Sequence, residues 1–177
     1  MIRVVSHDPA WPAKFEAGAK RIAEALGEVA VRIHHIGSTA IPQTKAKPII
    51  DILLEVTSLG VLDQKAPMLE TLGYEAKGEF GIPDRRHFCL NDSDGTRTYQ
   101  IHAFEVGVPN VVRHVAFRDY MRAHPLVAEE YGVLKEHLAD AHPHDMAAYM
   151  DGKDAFVKEH ERRALLWASN VSVVPAA

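Results

Sequence analysis

The stretch Ile49 to Val56 constrains this 177-residue chain more than any other. It is apolar almost throughout and is interrupted only by Asp51 and Glu55. A strand that is apolar on both faces belongs in the middle of a sheet covered on both sides. A carboxylate in such a place is costly unless it is paired or put to use. The run therefore predicts a sheet centre and marks Asp51 as the first chemical suspect, with an ion pair to Lys47 or an arginine as the plain structural alternative.

The flanking sequence fills in the sheet and its helices. Asp8-Pro9 reads as a helix start, and Phe15, Ala19, Ile22 and Leu26 recur at helical spacing until Gly27. Val29 to Ile36 is a β-branched strand broken by Gly37-Ser38-Thr39. Pro42 and Pro48 then bracket a loop that carries Lys45 and Lys47. Leu62 to Leu72 reads as a helix closed by Gly73. Arg86–Leu90 and Arg97–Val106 flank the turn-forming stretch Asn91 to Thr96, which predicts an antiparallel hairpin. Beyond Pro109 the pattern is helical: Val115–Arg122, stopped ahead of His124-Pro125, then Leu126–Ala139 and Met146–Trp167, with a frayed tail at Val171–Ala177. The expected architecture is α/β of the α+β type in one domain, with a mixed sheet in residues 1–108 and helices in residues 109–170.

Composition limits the classes of function. With 47% hydrophobic and 25% charged residues, the chain can build a globular core. Its net charge of -4 provides no overall basic surface, so nucleic acid would need a local patch. No apolar run approaches the ~18 residues that a bilayer-spanning helix requires. The N-terminus, with Arg3, His7 and Asp8, lacks the apolar stretch of a signal peptide. Cys89 is the single cysteine, so no internal disulfide forms, and a cytoplasmic location is the simple expectation. The eleven histidines are scattered without metal-ligand spacing.

Chemistry concentrates in His35-Ile36-Gly37-Ser38-Thr39-Ala40-Ile41-Pro42 and Ala46-Lys47-Pro48-Ile49-Ile50-Asp51-Ile52. Gly-Ser at a strand end can open a helix whose free N–H groups face an anion. Glycine lets a phosphate approach the backbone, and Ser38 adds a hydroxyl. Asp51, on the next strand, is placed to hold a metal beside that phosphate.

These segments resemble the signature of GrpB-like proteins, members of the nucleotidyltransferase superfamily. The resemblance continues through Arg85-Arg86, Gln100-Ile101-His102, Phe117-Arg118-Asp119-Tyr120, Tyr131…Leu134-Lys135 and Tyr149…Lys153…Phe156. It implies a nucleotidyltransferase-like fold and, if active, a transferase using Mg2+ or Mn2+ on a nucleotide or phosphorylated small molecule. The superfamily pattern pairs Gly-Ser with an acid-x-acid pair and a third acid on a neighbouring strand. Gly37, Ser38 and Asp51 match this pattern, whereas the second acid is replaced by Leu53. Glu55 shares the face of Asp51 but lies about 13 Å along the strand, too far for one magnesium site. Gln100 or His102 stands where the third acid belongs, and His102 is a candidate general base.

The cations Lys47, Arg85, Arg86, Lys135 and Lys153 are candidates to line an anion pocket with Gly37, Ser38, Asp51 and His102. Plainer readings accompany them. Gly37-Ser38 serves as a turn and cap, His35 and His102 as satisfied core histidines, and Arg85-Arg86 as solvated edge-strand charge. Lys135 and Lys153 read as surface lysines, Cys89 as a small buried hydrophobe, and Phe117-Arg118-Asp119-Tyr120 as helix packing with a local ion pair. His142-Pro143-His144 reads as a solvated loop. Three functions remain open: a metal-dependent nucleotidyl or phosphoryl transferase, a non-catalytic nucleotide- or phosphometabolite-binding module, and an accessory protein-interaction role.

Overall fold

The computed structural model describes residues 1–171; beyond Val171, the tail expected to fray lies outside them. In chain order the elements are α1 (Trp11–Leu26), β1 (Ala30–Ile36), β2 (Ile50–Val56), α2 (Leu59–Thr71), β3 (Glu75–Ala76), β4 (Arg86–Asn91), β5 (Arg97–Glu105), α3 (Pro109–Ala123), α4 (Pro125–Ala141) and α5 (Met146–Val171). The five strands form one mixed sheet in the order β1-β2-β5-β4-β3. β2 lies inside it, antiparallel to β1 and parallel to β5, and β4–β5 is the expected antiparallel hairpin.

The apolar run reads on both faces because both faces are covered. Ile50, Ile52, Leu54 and Val56 point into a core built with Trp11, Phe15, Ile22 and Leu26 of α1 and Leu62 and Leu69 of α2. Leu53 points the other way and packs with Ile36, Phe104 and Val111, the last from α3. A third cluster, with Ala116, Tyr120 and Met121 of α3 and Ala128 and Tyr131 of α4, takes in Ile41 and Ala164. Thus α3 joins the helical half to the sheet, and α4 and α5 pack beyond it. Burying a side chain such as Leu53 completely is worth about 1.5–3 kcal/mol.

Some element edges differ from the expected ones for local reasons. Asp8 accepts a hydrogen bond from the Ala10 N–H at 2.8 Å, but α1 starts at Trp11 with Pro12 in its first turn. The strand Glu75–Ala76 is too short to carry a periodic signal. α3 begins at Pro109, six residues before the expected Val115, because proline is tolerated in the first turn of a helix. In α4, a Cβ on Gly132 would lie 2.8 Å from the Lys45 backbone nitrogen. Glycine therefore lets α4 press against the loop leading to Lys47. Among the described residues, no helix is long and apolar enough to cross a membrane.

Candidate functional site

The site begins where β1 ends. Gly37 has φ 72°, and a Cβ there would lie 2.6 Å from Asp51 Oδ2. Both the backbone conformation and the space require glycine. The turn that follows, Ser38–Ala40, is a three-residue 3-10 turn, closed by Ala40 N–H to Gly37 O and Ile41 N–H to Ser38 O, each at 3.1 Å. The anion-facing helix expected at Gly37-Ser38 therefore does not form. Residue 41 is already extended, as expected for a residue before Pro42. What the turn presents is the Ser38 hydroxyl, which accepts a hydrogen bond from Lys135 Nζ at 2.7 Å.

The expectation that Lys135 sits on the surface is overturned, and Lys153 is half-buried. Lys135 is 2% exposed, with its ammonium 4.2 Å from the Tyr131 ring centroid. Lys153 and Lys47 approach the Tyr149 ring at 5.3 and 5.5 Å. The helical stem of a lysine can run along apolar neighbours while its charge reaches inward, so helix periodicity alone could not decide its direction. Burial, with repulsion from Lys153 and Lys47, drives the Lys135 amine down to about 6, and Asp51 opposes this only in part. Lys153 falls to about 8 through burial and the neighbouring Lys47 charge, again opposed by Asp51. Burial also lowers Lys47. The hydroxyls of Tyr131 and Tyr149 are pushed upward by burial, Tyr149 to about 12, so both stay neutral. Three lysines thus share one carboxylate, an arrangement short of negative charge.

Asp51 is held by a directed chain. Arg85 Nη1 lies 3.3 Å from His102 Nδ1, and His102 Nε2 lies 3.1 Å from Asp51 Oδ1. A guanidinium only donates, so Nδ1 accepts, and Nε2 carries the proton that it donates to Asp51. The lone pair a general base would need is therefore committed to Arg85, and His102 orients the carboxylate. Arg85 is buried and also donates to the backbone oxygens of Glu79 (3.1 Å) and Phe80 (2.7 Å). Arg86, one residue on, points to the opposite face, where its fork grips Asp63 of α2 at 2.7 and 3.0 Å. The structure therefore does not bring Arg86 to the site.

The donor set does not fit a two-metal centre. Leu53 is fully buried in the apolar cluster under α3. Glu55 is committed to His34 (2.7 Å) and Arg32 (3.3 Å) at the far end of the strand. Gln100 stands opposite Asp51 on β5. Among the described residues, no group of three or more His, Cys, Asp or Glu is arranged to hold a metal ion.

Other expectations divide by face. His35 stacks on Phe15 at 4.8 Å and pairs with Thr39 Oγ1 at 2.9 Å, and burial takes it down to about 4. It belongs to the core. Cys89 is a buried free thiol, and Arg118 pairs with Asp119 at 2.9 Å. Sequence reasoning missed His87 and His114, whose rings lie 5.1 and 5.9 Å from His102. Alternation along β4 could have placed His87 beside His102, but the sheet register needed for this is not written in the sequence.

The chain matches the GrpB protein family over residues 1–163. Among curated relatives it is 41% identical to the UPF0157 protein YqkA of Bacillus subtilis over 94% of this chain and 48% of YqkA. It is 31% identical to a dephospho-CoA kinase of Mycobacterium tuberculosis over 96% of this chain and 47% of the kinase. The chain thus spans about half the length of each of these two. Among solved structures, the conserved protein GrpB from Enterococcus faecalis superposes with a TM-score of 0.88 at 39% identity, covering 94% of this chain and 99% of that one. The Cid1 poly(U) polymerase bound to MgGTP superposes with a TM-score of 0.53 at 14% identity over 77% of this chain and 44% of Cid1, a likeness of fold alone. With a mixed sheet of nucleotidyltransferase type and this near-complete match, the chain belongs to the GrpB protein family.

Proposed function

We propose that the chain is a binding module for nucleotides or phosphorylated metabolites, built on a nucleotidyltransferase-like fold and working in the cytoplasm. The phosphate is received by Ser38, Lys47, Lys135 and Lys153. The observation that carries this reading is the buried Lys135 amine on Ser38 Oγ at 2.7 Å, in a site where three lysines share Asp51. An arriving polyphosphate supplies the missing negative charge, and lysines do the charge neutralisation that a metal pair performs elsewhere. The dephospho-CoA kinases among its relatives handle a nucleotide-bearing substrate by name, which is in keeping with this ligand class.

A second reading keeps catalysis: Asp51 holds Mg2+ or Mn2+ and a nucleotidyl or phosphoryl group is transferred to a small molecule. It is favoured by the partial exposure of the Asp51 carboxylate. Titration calorimetry with ATP, with and without Mg2+, separates the two. The binding module predicts saturable binding without metal, retained in Asp51→Asn, lost in Lys135→Met, and much weaker for adenosine, which lacks the phosphates. Turnover of ATP that requires Mg2+ and disappears in Asp51→Asn would replace the binding module with the transferase.

A further inference from the structure

Between β3 and β4 the chain makes a tight loop in which Phe80 adopts φ 49°. A bulky residue in that region is strained. Burial does not compensate, because Phe80 is 61% exposed. One face of its ring stacks on His87, with centroids 5.0 Å apart and planes within 10°. The loop is held there by Arg85, which donates to Phe80 O at 2.7 Å while its other arm reaches His102. One guanidinium thus fixes both the Phe80 loop and, through His102, the carboxylate of Asp51.

The residue beneath is equally unusual. His87 is 2% exposed, and neither ring nitrogen has a hydrogen-bond partner within the protein. A buried polar ring without partners is costly. Burial holds the imidazole neutral, at about 4, so the ring serves as a flat, uncharged support. Its edge meets His102 at 5.1 Å, which makes the rings of Phe80, His87 and His102 a continuous path to Asp51.

We propose that the outer face of Phe80 is a stacking platform for the planar heteroaromatic part of the ligand whose phosphates sit at Ser38 and Lys135, so that the site selects nucleotides over bare phosphate metabolites. This rests on the phosphate-binding reading of the Ser38 site. The strain is then the means of keeping an aromatic face turned to solvent, pre-stacked on His87, before a base arrives. Base–aromatic stacking tolerates any base because each has a π-face.

Two measurements on the intact chain test this. The first compares ATP with inorganic tripolyphosphate by titration calorimetry in the native protein and in Phe80→Ala. The platform predicts that Phe80→Ala weakens ATP about tenfold or more while tripolyphosphate stays within about twofold. Equal effects on both ligands, or ATP binding no tighter than tripolyphosphate in the native protein, would overturn it. The second uses Phe80→Trp, whose introduced indole should be quenched by adenosine alone and not by tripolyphosphate. Quenching by adenosine without any binding of tripolyphosphate supports the platform and removes the phosphate reading. Tripolyphosphate binding without quenching removes the platform and leaves the phosphate reading in place.

Discussion

Binding of a polyphosphate at Ser38 should draw protons out of solution, and the number can be worked from the lysines. With Lys135 at about 6 and Lys153 at about 8, at pH 8 the first is charged in about 1% of molecules and the second in about half. A bound polyphosphate favours the ammonium form of both. Complete recharging takes up about 1.5 protons per ligand at that pH, and Kd weakens about fiftyfold between pH 8 and pH 9. The stability of the ligand-free protein moves the other way. An unfolded lysine keeps its proton to about pH 10.4, whereas folded Lys135 releases it near 6. The unfolded state therefore binds more protons across that window, and stability rises with pH. Titration calorimetry with ATP, whose phosphates are fully ionised at pH 8, in buffers of different ionisation enthalpy reads the proton count directly. Uptake below half a proton, together with a Kd that does not change from pH 8 to pH 9, would refute the charge-deficient picture of the site.

Three further outcomes follow from packing. Gly37→Ala would drive a Cβ into Asp51 Oδ2 at a positive φ, so urea denaturation should show a loss of about 1–3 kcal/mol, with ATP binding abolished by calorimetry. Lys135→Met removes an amine that burial already penalises. The ligand-free variant should be at least as stable in urea as the native protein, by up to about 1 kcal/mol, while ATP binding is lost. Leu53→Asp restores the acid-x-acid spacing but places a carboxylate at a position with 0% exposure. It should lose about 3 kcal/mol or more in urea and gain no Mg2+ affinity by calorimetry.

Much of the sheet was legible because β2 and its neighbours carry strong periodic signals. Ile49 to Val56 announced its central place through apolar residues on both faces, and the Asn91–Thr96 turn announced the hairpin. Gly37, Ser38 and Asp51 stood out as candidates for the same reason: strand ends and charged interruptions are local features. What stayed hidden depends on pairing and docking. Lys135 lies 97 residues from Ser38 and meets it only when α4 docks. The opposed directions of Arg85 and Arg86 depend on where β4 begins and how it registers on β5. Phe80 gave no signal because nothing in a sequence shows a ring held at positive φ.

The two halves of the molecule are joined in the chain by the short passage from Glu105 to Pro109, and the site's cations lie on both sides of that passage: Lys47 and Arg85 before it, Lys135 and Lys153 after it. Without an anion, Lys47 repels Lys135 and Lys153 across that boundary, which adds to burial in lowering the affinity of both amines for a proton. An anion changes the sign of that boundary from repulsion to cohesion. A ligand here would act as mortar as well as cargo, slowing amide exchange in α4 and α5 far from any atom it touches.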